Sequence, residues 1–145
     1  MTRKLVAFPA VCLVLLAGCA TAEKPGLIVE LNMSSAMATE AARAALDACR
    51  SKGHRVAVAI VDRNGDIKVQ LRDDGVNSKA LEASRTKAAA AVGAGTDKDA
   101  ANTTGAYPLR AKEQVVGGIG VSGPVSGKIE DSCALAGANK IKDRL

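Results

Sequence analysis

The stretch Val115–Gly123, Val-Val-Gly-Gly-Ile-Gly-Val-Ser-Gly, decides how this chain of 145 residues is interpreted. Its β-branched residues are interrupted by glycine, and Pro124 follows it. This composition predicts a strand whose glycines let another backbone or a ligand come close. The segment Tyr107–Lys112 is predicted as the preceding strand, joined through a turn at Glu113-Gln114. Because so short a turn connects them, the two strands are expected to pair antiparallel.

The same stretch contains the pattern G-x-G-x-x-G at Gly118, Gly120 and Gly123, which occurs in dinucleotide-binding domains. That function needs a helix that opens on the glycines and a further strand of a βαβ unit. Here a turn and one predicted helix follow up to Leu145, with no room for that strand. A P-loop is excluded as well, because Ile129 stands where Ser or Thr must hold magnesium. We therefore interpret the stretch as a glycine-rich buried strand that ends in a turn.

The N-terminus is typical of a bacterial lipoprotein precursor. Arg3 and Lys4 give a positive start, and an apolar run extends over Leu5–Leu16. This run is shorter than the roughly 20 apolar residues that a membrane span needs. The sequence Leu-Ala-Gly-Cys that ends at Cys19 resembles a lipobox. The resemblance implies cleavage before Cys19 and attachment of lipid to that cysteine.

These features predict a signal peptide over residues 1–18, a lipidated Cys19 and tether over 19–30, and a single domain over 31–145. Several acyl chains, palmitate among them, would hold the protein firmly, since one chain alone binds a bilayer only marginally. Ala20 follows the cysteine in place of the Asp that retains lipoproteins in the inner membrane. We expect anchoring to the outer membrane, facing the periplasm, with a plain secreted protein as the alternative.

The charge of the chain does not indicate a nucleic-acid partner. The 20 Lys and Arg exceed the 15 Asp and Glu, giving a net charge of +5. Removal of the signal takes away two basic residues and lowers this excess to about +3. The basic residues are scattered without a run of five or more, so we expect no binding to nucleic acid.

The rest of the chain alternates helical patterns with pairs of strands. Helices are predicted over about Ser35–Lys52, Asn77–Val92 and Ile129–Asp143. Strands are predicted over Val56–Val61 and Asp66–Arg72, joined by an Asn64-Gly65 turn. A loop is predicted over Gly93–Gly105 and a brief extended segment over Leu27–Leu31. In the first helix, the charged residues Glu40, Arg43, Asp47 and Arg50 form one solvent-facing stripe. The order predicts an α+β fold with helices packed on an antiparallel sheet.

Two of the four cysteines remain in the predicted domain. Cys12 is lost with the signal and Cys19 takes lipid, which leaves Cys49 in the first helix and Cys133 in the last. Together with the sole His54 they do not complete a four-ligand zinc site. Export permits a disulfide between Cys49 and Cys133, which antiparallel packing of the two helices would bring together. Two separate buried thiols are the alternative.

An ordered set of motifs resembles the GlcG/HbpS-like family, whose members are known as haem-binding or haem-degrading domains. The matching segments are Ala57–Asp62 with Asn64-Gly65, Arg72-Asp73-Asp74-Gly75, Lys87-Ala88, Thr96, Tyr107-Pro108-Leu109, Val115–Gly123 and Asp131–Gly137. The resemblance implies a profilin-like sandwich of two or three layers, with an antiparallel sheet and packed helices, that assembles into a homo-oligomer. The family's Arg-Met-Asp-Gly motif has Met where this sequence has Asp73.

The resemblance also implies a small planar ligand such as haem, for which the sequence offers three candidate binding residues. His54 is the only imidazole, Tyr107 is the only aromatic residue after the signal, and Thr96 falls at a family motif position. Each has a structural alternative: a solvated loop histidine, a ring that anchors a strand and a hydroxyl that caps a turn. Without Trp or Phe, haem would have to lie against aliphatic side chains.

No catalytic or metal-binding set is specified. One histidine does not define a Ser/His/Asp arrangement. A metal shared by Asp62, Asp73 and Asp74 is disfavoured, because the predicted hairpin separates the first from the other two by a strand's length. We expect a lipoprotein that binds a small planar ligand. The alternatives are a non-catalytic interaction or structural lipoprotein without a cofactor, and a haem-degrading enzyme.

Overall fold

The computed structural model describes Gly26 and residues 30–93 and 103–145. Its elements are α1 (Ser35–Arg50), β1 (Ala57–Asp62), β2 (Ile67–Arg72), α2 (Ser78–Gly93), β3 (Ala106–Ala111), β4 (Gln114–Ser122), α3 (Gly127–Ile141) and a final 3₁₀ turn (Lys142–Arg144). This order confirms the predicted alternation of helices and strand pairs and the α+β fold. The predicted signal peptide, the predicted lipid attachment site Cys19, the segment 27–29 and residues 94–102 with Thr96 lie outside the described residues.

The four strands form one antiparallel sheet in the order β2-β1-β4-β3. The two predicted hairpins are joined through their inner strands, with Ala57 opposite Ser122 and Asp62 opposite Gly117. Every residue of β1 is buried, because the strand is central and covered on both faces. Ser34, before α1, accepts a hydrogen bond from the Met37 amide and so caps that helix.

The helices cover both faces of the sheet, which gives three layers. On one face, Val58 and Ile60 of β1 join a core with buried residues of α1 and α3. On the other face, Ala59 and Val61 pack with Ala88 of α2. The alternation of neighbouring strand residues between these two cores follows from the period of two of an extended chain. Of the two layer arrangements expected, the structure has the three-layer sandwich.

The glycines of β4 allow the backbone of α2 to lie directly on the sheet. A Cβ added at Gly118 would lie 2.2 Å from the Ala88 carbonyl oxygen, and one at Gly120 would lie 2.1 Å from the Ser84 carbonyl oxygen. The predicted close approach is therefore confirmed, and the partner is a helix backbone. The all-antiparallel sheet also agrees with exclusion of a βαβ dinucleotide-binding unit.

A disulfide joins α1 to α3. Cys49, near the end of α1, is bonded to Cys133 of α3 with a Cα–Cα distance of 5.6 Å. Glu40, in the first half of α1, accepts a hydrogen bond from Arg144 in the turn that follows α3, so α1 and α3 run antiparallel. Of the two states left open for these cysteines, the structure contains the disulfide. None of the helices in the described part of the chain combines the length and apolarity needed to cross a bilayer.

Candidate functional site

A cleft of about 580 Å³ opens at the end of the sheet where α1 ends, β1 begins and β2 ends. It is lined by Arg50, Gly53, His54, Arg55, Asp73 and Asp74. Its volume is in the range of sites for small molecules. The lining residues carry two positive and two negative side chains, an imidazole and a glycine, and none of them has an apolar side chain. The cleft is therefore suited to polar or charged ligand groups.

The end of α1 positions His54 at this cleft. The Gly53 amide donates to the Arg50 carbonyl at 2.8 Å, and the His54 amide donates to the Cys49 carbonyl at 3.0 Å. These two bonds form a Schellman motif, which needs a left-handed residue at its centre. Gly53 supplies it with a φ of 77°. Because Cys49 is tied to α3 by the disulfide, the backbone of His54 is anchored to the cross-linked helix pair.

The Asp73 carboxylate forms the buried wall of the cleft. The Nε and Nη2 groups of Arg50 donate to the same oxygen, Oδ1, at 2.8 and 2.5 Å. The side chain of Asp73 is 5% exposed, and its second oxygen, Oδ2, is buried without a hydrogen-bond partner. The side chain of Arg50 is 54% exposed and also bonds Asp47 at 3.1 Å. The hydrogen bond to Asp73 raises the pKa of Arg50, so its guanidinium stays charged.

The outer wall of the cleft is formed by Arg55 and Asp74. The Nη1 group of Arg55 donates to the carbonyl oxygen of Asp74 at 3.1 Å, and both residues are exposed. A guanidinium has five N–H donors, so this bond leaves Arg55 with donors for a ligand anion. The cleft thus presents opposite charges beside one another, with the Arg50–Asp73 pair in its buried part and Arg55 next to Asp74 at its exposed edge.

A second polar cluster lies where β4 ends and α3 begins. The Nζ of Lys87 in α2 donates to Glu130 Oε2 of α3 at 2.8 Å and to the Val121 carbonyl at 3.1 Å. The Gly123 amide donates to the other oxygen, Glu130 Oε1, at 3.1 Å. Both carboxylate oxygens of Glu130 are therefore satisfied, and the pair connects both helix layers to the sheet. We interpret this cluster as structural. Sequence reasoning noted Lys87 only as a motif residue and did not identify Glu130.

The predicted ligand residues do not form one site. Tyr107 of β3 pairs with Ile119, which pairs with Ile60 in β1. His54 precedes Ile60 by six residues, about 20 Å of extended chain, and lies two strands away from Tyr107. His54 and Tyr107 are therefore too far apart to hold one iron within a single chain. Thr96 lies outside the described residues, so its position stays a prediction.

The three aspartates considered for a metal are separated as expected. Asp62 Oδ1 accepts the Asn64 and Asp66 amides at 2.8 and 3.1 Å, in the turn at the far end of β1 from the cleft. Asp73 and Asp74 lie at the cleft. In residues 30–93 and 103–145, no group of three potential His, Cys, Asp or Glu ligands is placed to hold a metal ion.

The family described as "Haem degrading protein HbpS-like" matches residues 33–139. Among solved structures, HbpS is 34% identical with a TM-score of 0.68, and the match covers 78% of this chain and 92% of HbpS. A double mutant of HbpS from Streptomyces reticuli is 31% identical with a TM-score of 0.70, and the match covers 93% and 97%. The PduOC:Heme complex, 22% identical with a TM-score of 0.66 over 77% and 96%, shows the same fold. No curated protein matches the chain significantly.

Proposed function

Because the chain belongs to the HbpS-like family, we propose that it is an exported lipoprotein that binds a small planar ligand, with haem as the first candidate. The family match over residues 33–139 carries this proposal. A structure of the same fold, PduOC, is known as a complex with haem, which supports the ligand class. The motif at Cys19 supports export and a lipid anchor that faces the periplasm.

The polar cleft does not fit haem. Its His54 imidazole is a suitable iron ligand, and Arg55 can pair with a carboxylate. However, a flat macrocycle needs apolar walls, and the six lining residues supply none. We therefore do not place haem in this cleft, although His54 has the best donor chemistry of the three candidates.

Tyr107 of β3 lies outside the polar cleft and is partly exposed. Tyr107 shares a face of β3 with Leu109, which belongs to the core beneath α1 and α3. Tyr107 itself is 42% exposed. A tyrosine phenolate is an established type of haem ligand. These features favour Tyr107 over His54 as the residue that contacts a planar ligand. Thr96, at a family motif position, is the second candidate.

Titration of hemin into the mature protein tests this function. We expect a saturable shift of the Soret band, weakened about tenfold or more by Tyr107→Phe, which corresponds to about 1.4 kcal/mol of binding free energy. Thr96→Val tests the second candidate, and His54→Ala is the matched control that should leave the titration unchanged. Absence of a saturable shift would reject haem binding. Loss of the shift in His54→Ala alone would move the ligand to the cleft.

The lipid anchor is tested separately from the ligand. Replacing Cys19 with Ser removes the thiol to which lipid is attached, so we expect metabolic labelling with palmitate to disappear and the full-length precursor to accumulate. Cys12→Ser is the control, because that cysteine belongs to the signal and should leave labelling intact. Continued labelling of Cys19→Ser would show that the anchor is wrongly assigned.

A further inference from the structure

The buried charge of Asp73 is not needed for the turn that contains it. The turn is made by the backbone, since the Asp73 amide donates to the Val56 carbonyl at 3.1 Å and the Val76 amide donates to the Asp73 carbonyl at 3.2 Å. Burial of a carboxylate opposes folding unless its charge is well compensated. The acid at this position therefore calls for an explanation other than local structure.

The compensation of this charge is incomplete in the structure. Both hydrogen bonds from Arg50 go to Oδ1, and Oδ2 is buried without a partner. A buried acceptor without a donor is destabilising. Because Asp73 lines the cleft, a positively charged ligand group that enters there could supply the missing donor.

Arg50 is able to make room for such a group. Its side chain is half exposed, and its Nη1 also bonds Asp47, which is itself 68% exposed. Rotation of the guanidinium toward Asp47 and solvent would keep one ion pair and open the Asp73 carboxylate to the cleft. The displaced guanidinium would then lie beside the cleft with donors available for an anion.

We propose that the cleft binds a free α-amino acid that inserts into the Arg50–Asp73 ion pair. Its ammonium group takes the place of the guanidinium at Asp73, where its three N–H donors can serve both Oδ1 and the unpartnered Oδ2, and its carboxylate pairs with Arg50 and Arg55. Acids and guanidiniums lie beside one another in the cleft, so a simple anion would also meet acids and a simple cation would also meet guanidiniums. A ligand that carries both charges can pair with each kind of group. This site is independent of haem binding on the Tyr107 side.

The sole histidine provides a direct reporter for this proposal. In a labelled, haem-free mature protein, the imidazole resonances belong to His54 alone, and they can be followed by NMR while each of the twenty standard amino acids is added. We expect at least one amino acid to shift the His54 resonances and the amides of residues 50–55 and 73–74 saturably. Acetate and methylammonium, each carrying one of the two charges, should not. No response to any amino acid, or an equal response to either control ion, would overturn the proposal.

Variants separate the site from general effects on folding. Asp73→Asn keeps the size of the side chain and removes its charge, so amino-acid affinity should fall at least tenfold. Asp66→Asn, at an exposed acid in the opposite turn, should bind normally. Arg55→Gln tests the carboxylate contact at an exposed position where folding is not at risk, and it should also weaken binding. Unchanged amino-acid affinity in both Asp73→Asn and Arg55→Gln would reject the site. The hemin titrations of these two variants should match that of the wild type.

Discussion

In the described part of the chain, the buried acids Glu130 and Asp73 are each paired with a basic side chain, and they differ in how completely they are paired. Glu130 is 8% exposed, uses both oxygens, and meets a lysine that is itself only 19% exposed. Asp73 is 5% exposed, uses one oxygen, and meets an arginine that is half exposed. A fully satisfied polar network makes an interior rigid, while a partly satisfied one has capacity left for another group. The comparison indicates that Glu130 stabilises the fold and that Asp73 serves a ligand.

The strongest test of this comparison is removal of the Glu130 side chain. Glu130→Ala leaves Lys87 without its ion pair and the Gly123 amide without its acceptor, so we expect the free energy of unfolding to fall by about 3–5 kcal/mol. Urea denaturation measures it. Glu82→Ala is the matched control, because Glu82 forms an exposed pair with Arg85 within α2 and should cost less than about 1 kcal/mol. Equal losses of unfolding free energy in the two variants would contradict the structural role of Glu130.

Loss of the disulfide should have the next largest effect on stability. The disulfide links α1, which carries Arg50, to α3, which carries Glu130. Replacing Cys49 and Cys133 together with Ala releases a loop with a sequence separation of 84. We expect the free energy of unfolding to fall by about 2–4 kcal/mol. Because the Cys49 carbonyl accepts the His54 amide, the NMR signals of the cleft should also broaden or shift. Reduction of the wild type should reproduce both effects. A variant as stable as the oxidised wild type would contradict this assignment.

Asp73→Met should behave in the opposite way to Glu130→Ala. It removes a half-satisfied buried charge and leaves Arg50 with solvent and Asp47, so we expect unfolding stability to be unchanged or raised by about 1 kcal/mol. The same urea measurement decides it, with Asp66→Asn as the control for loss of one acidic charge. A loss of more than about 2 kcal/mol would show that Asp73, like Glu130, is required by the fold.

Local pattern was sufficient to predict the elements and their faces. The helices, both hairpins, the burial of Cys49 and Cys133 and the close approach at the β4 glycines all follow from periodicity and residue type. The strand order β2-β1-β4-β3 could not be predicted, because it depends on how two hairpins join across the sheet. The close packing of α2 on β4 is the one tertiary contact that the sequence indicated, through the glycines of β4.

The candidate site was predicted in part. His54 was singled out and lies in the cleft, but Arg50 was expected only as part of a solvent-facing stripe. That expectation holds for half of its side chain, while its bond to Asp73 spans 23 residues of sequence. Similarly, Lys87 and Glu130 are 43 residues apart. Such pairs arise from tertiary packing, and no spacing rule within one element could identify them.

An exposed ion pair provides the smallest test of the comparison, since it is neither buried nor part of a site. Glu40 of α1 accepts a hydrogen bond from Arg144 and lies 3.8 Å from Lys140. The hydrogen bond from Arg144 lowers the pKa of Glu40. A carboxyl whose pKa is lower in the folded state stabilises the fold above its ordinary pKa, and this contribution is lost as the pH falls through the lowered value.

We therefore expect Glu40→Gln to be slightly less stable than the wild type at neutral pH, with the difference disappearing in acid. Urea denaturation over a pH series measures it, and high salt should reduce the difference because the pair is exposed to solvent. Glu113→Gln is the control, since the structure records no ion pair for Glu113 in the described part of the chain, and its effect should change little with pH. A difference for Glu40→Gln that persists at the lowest pH would mean that the side chain acts through packing rather than charge. If the expected profile is found, the contribution of each acid–base pair to stability follows its burial and the number of hydrogen bonds its carboxylate accepts. Glu130 stabilises the fold, Asp73 keeps an oxygen available for a ligand, and Glu40 changes stability only slightly.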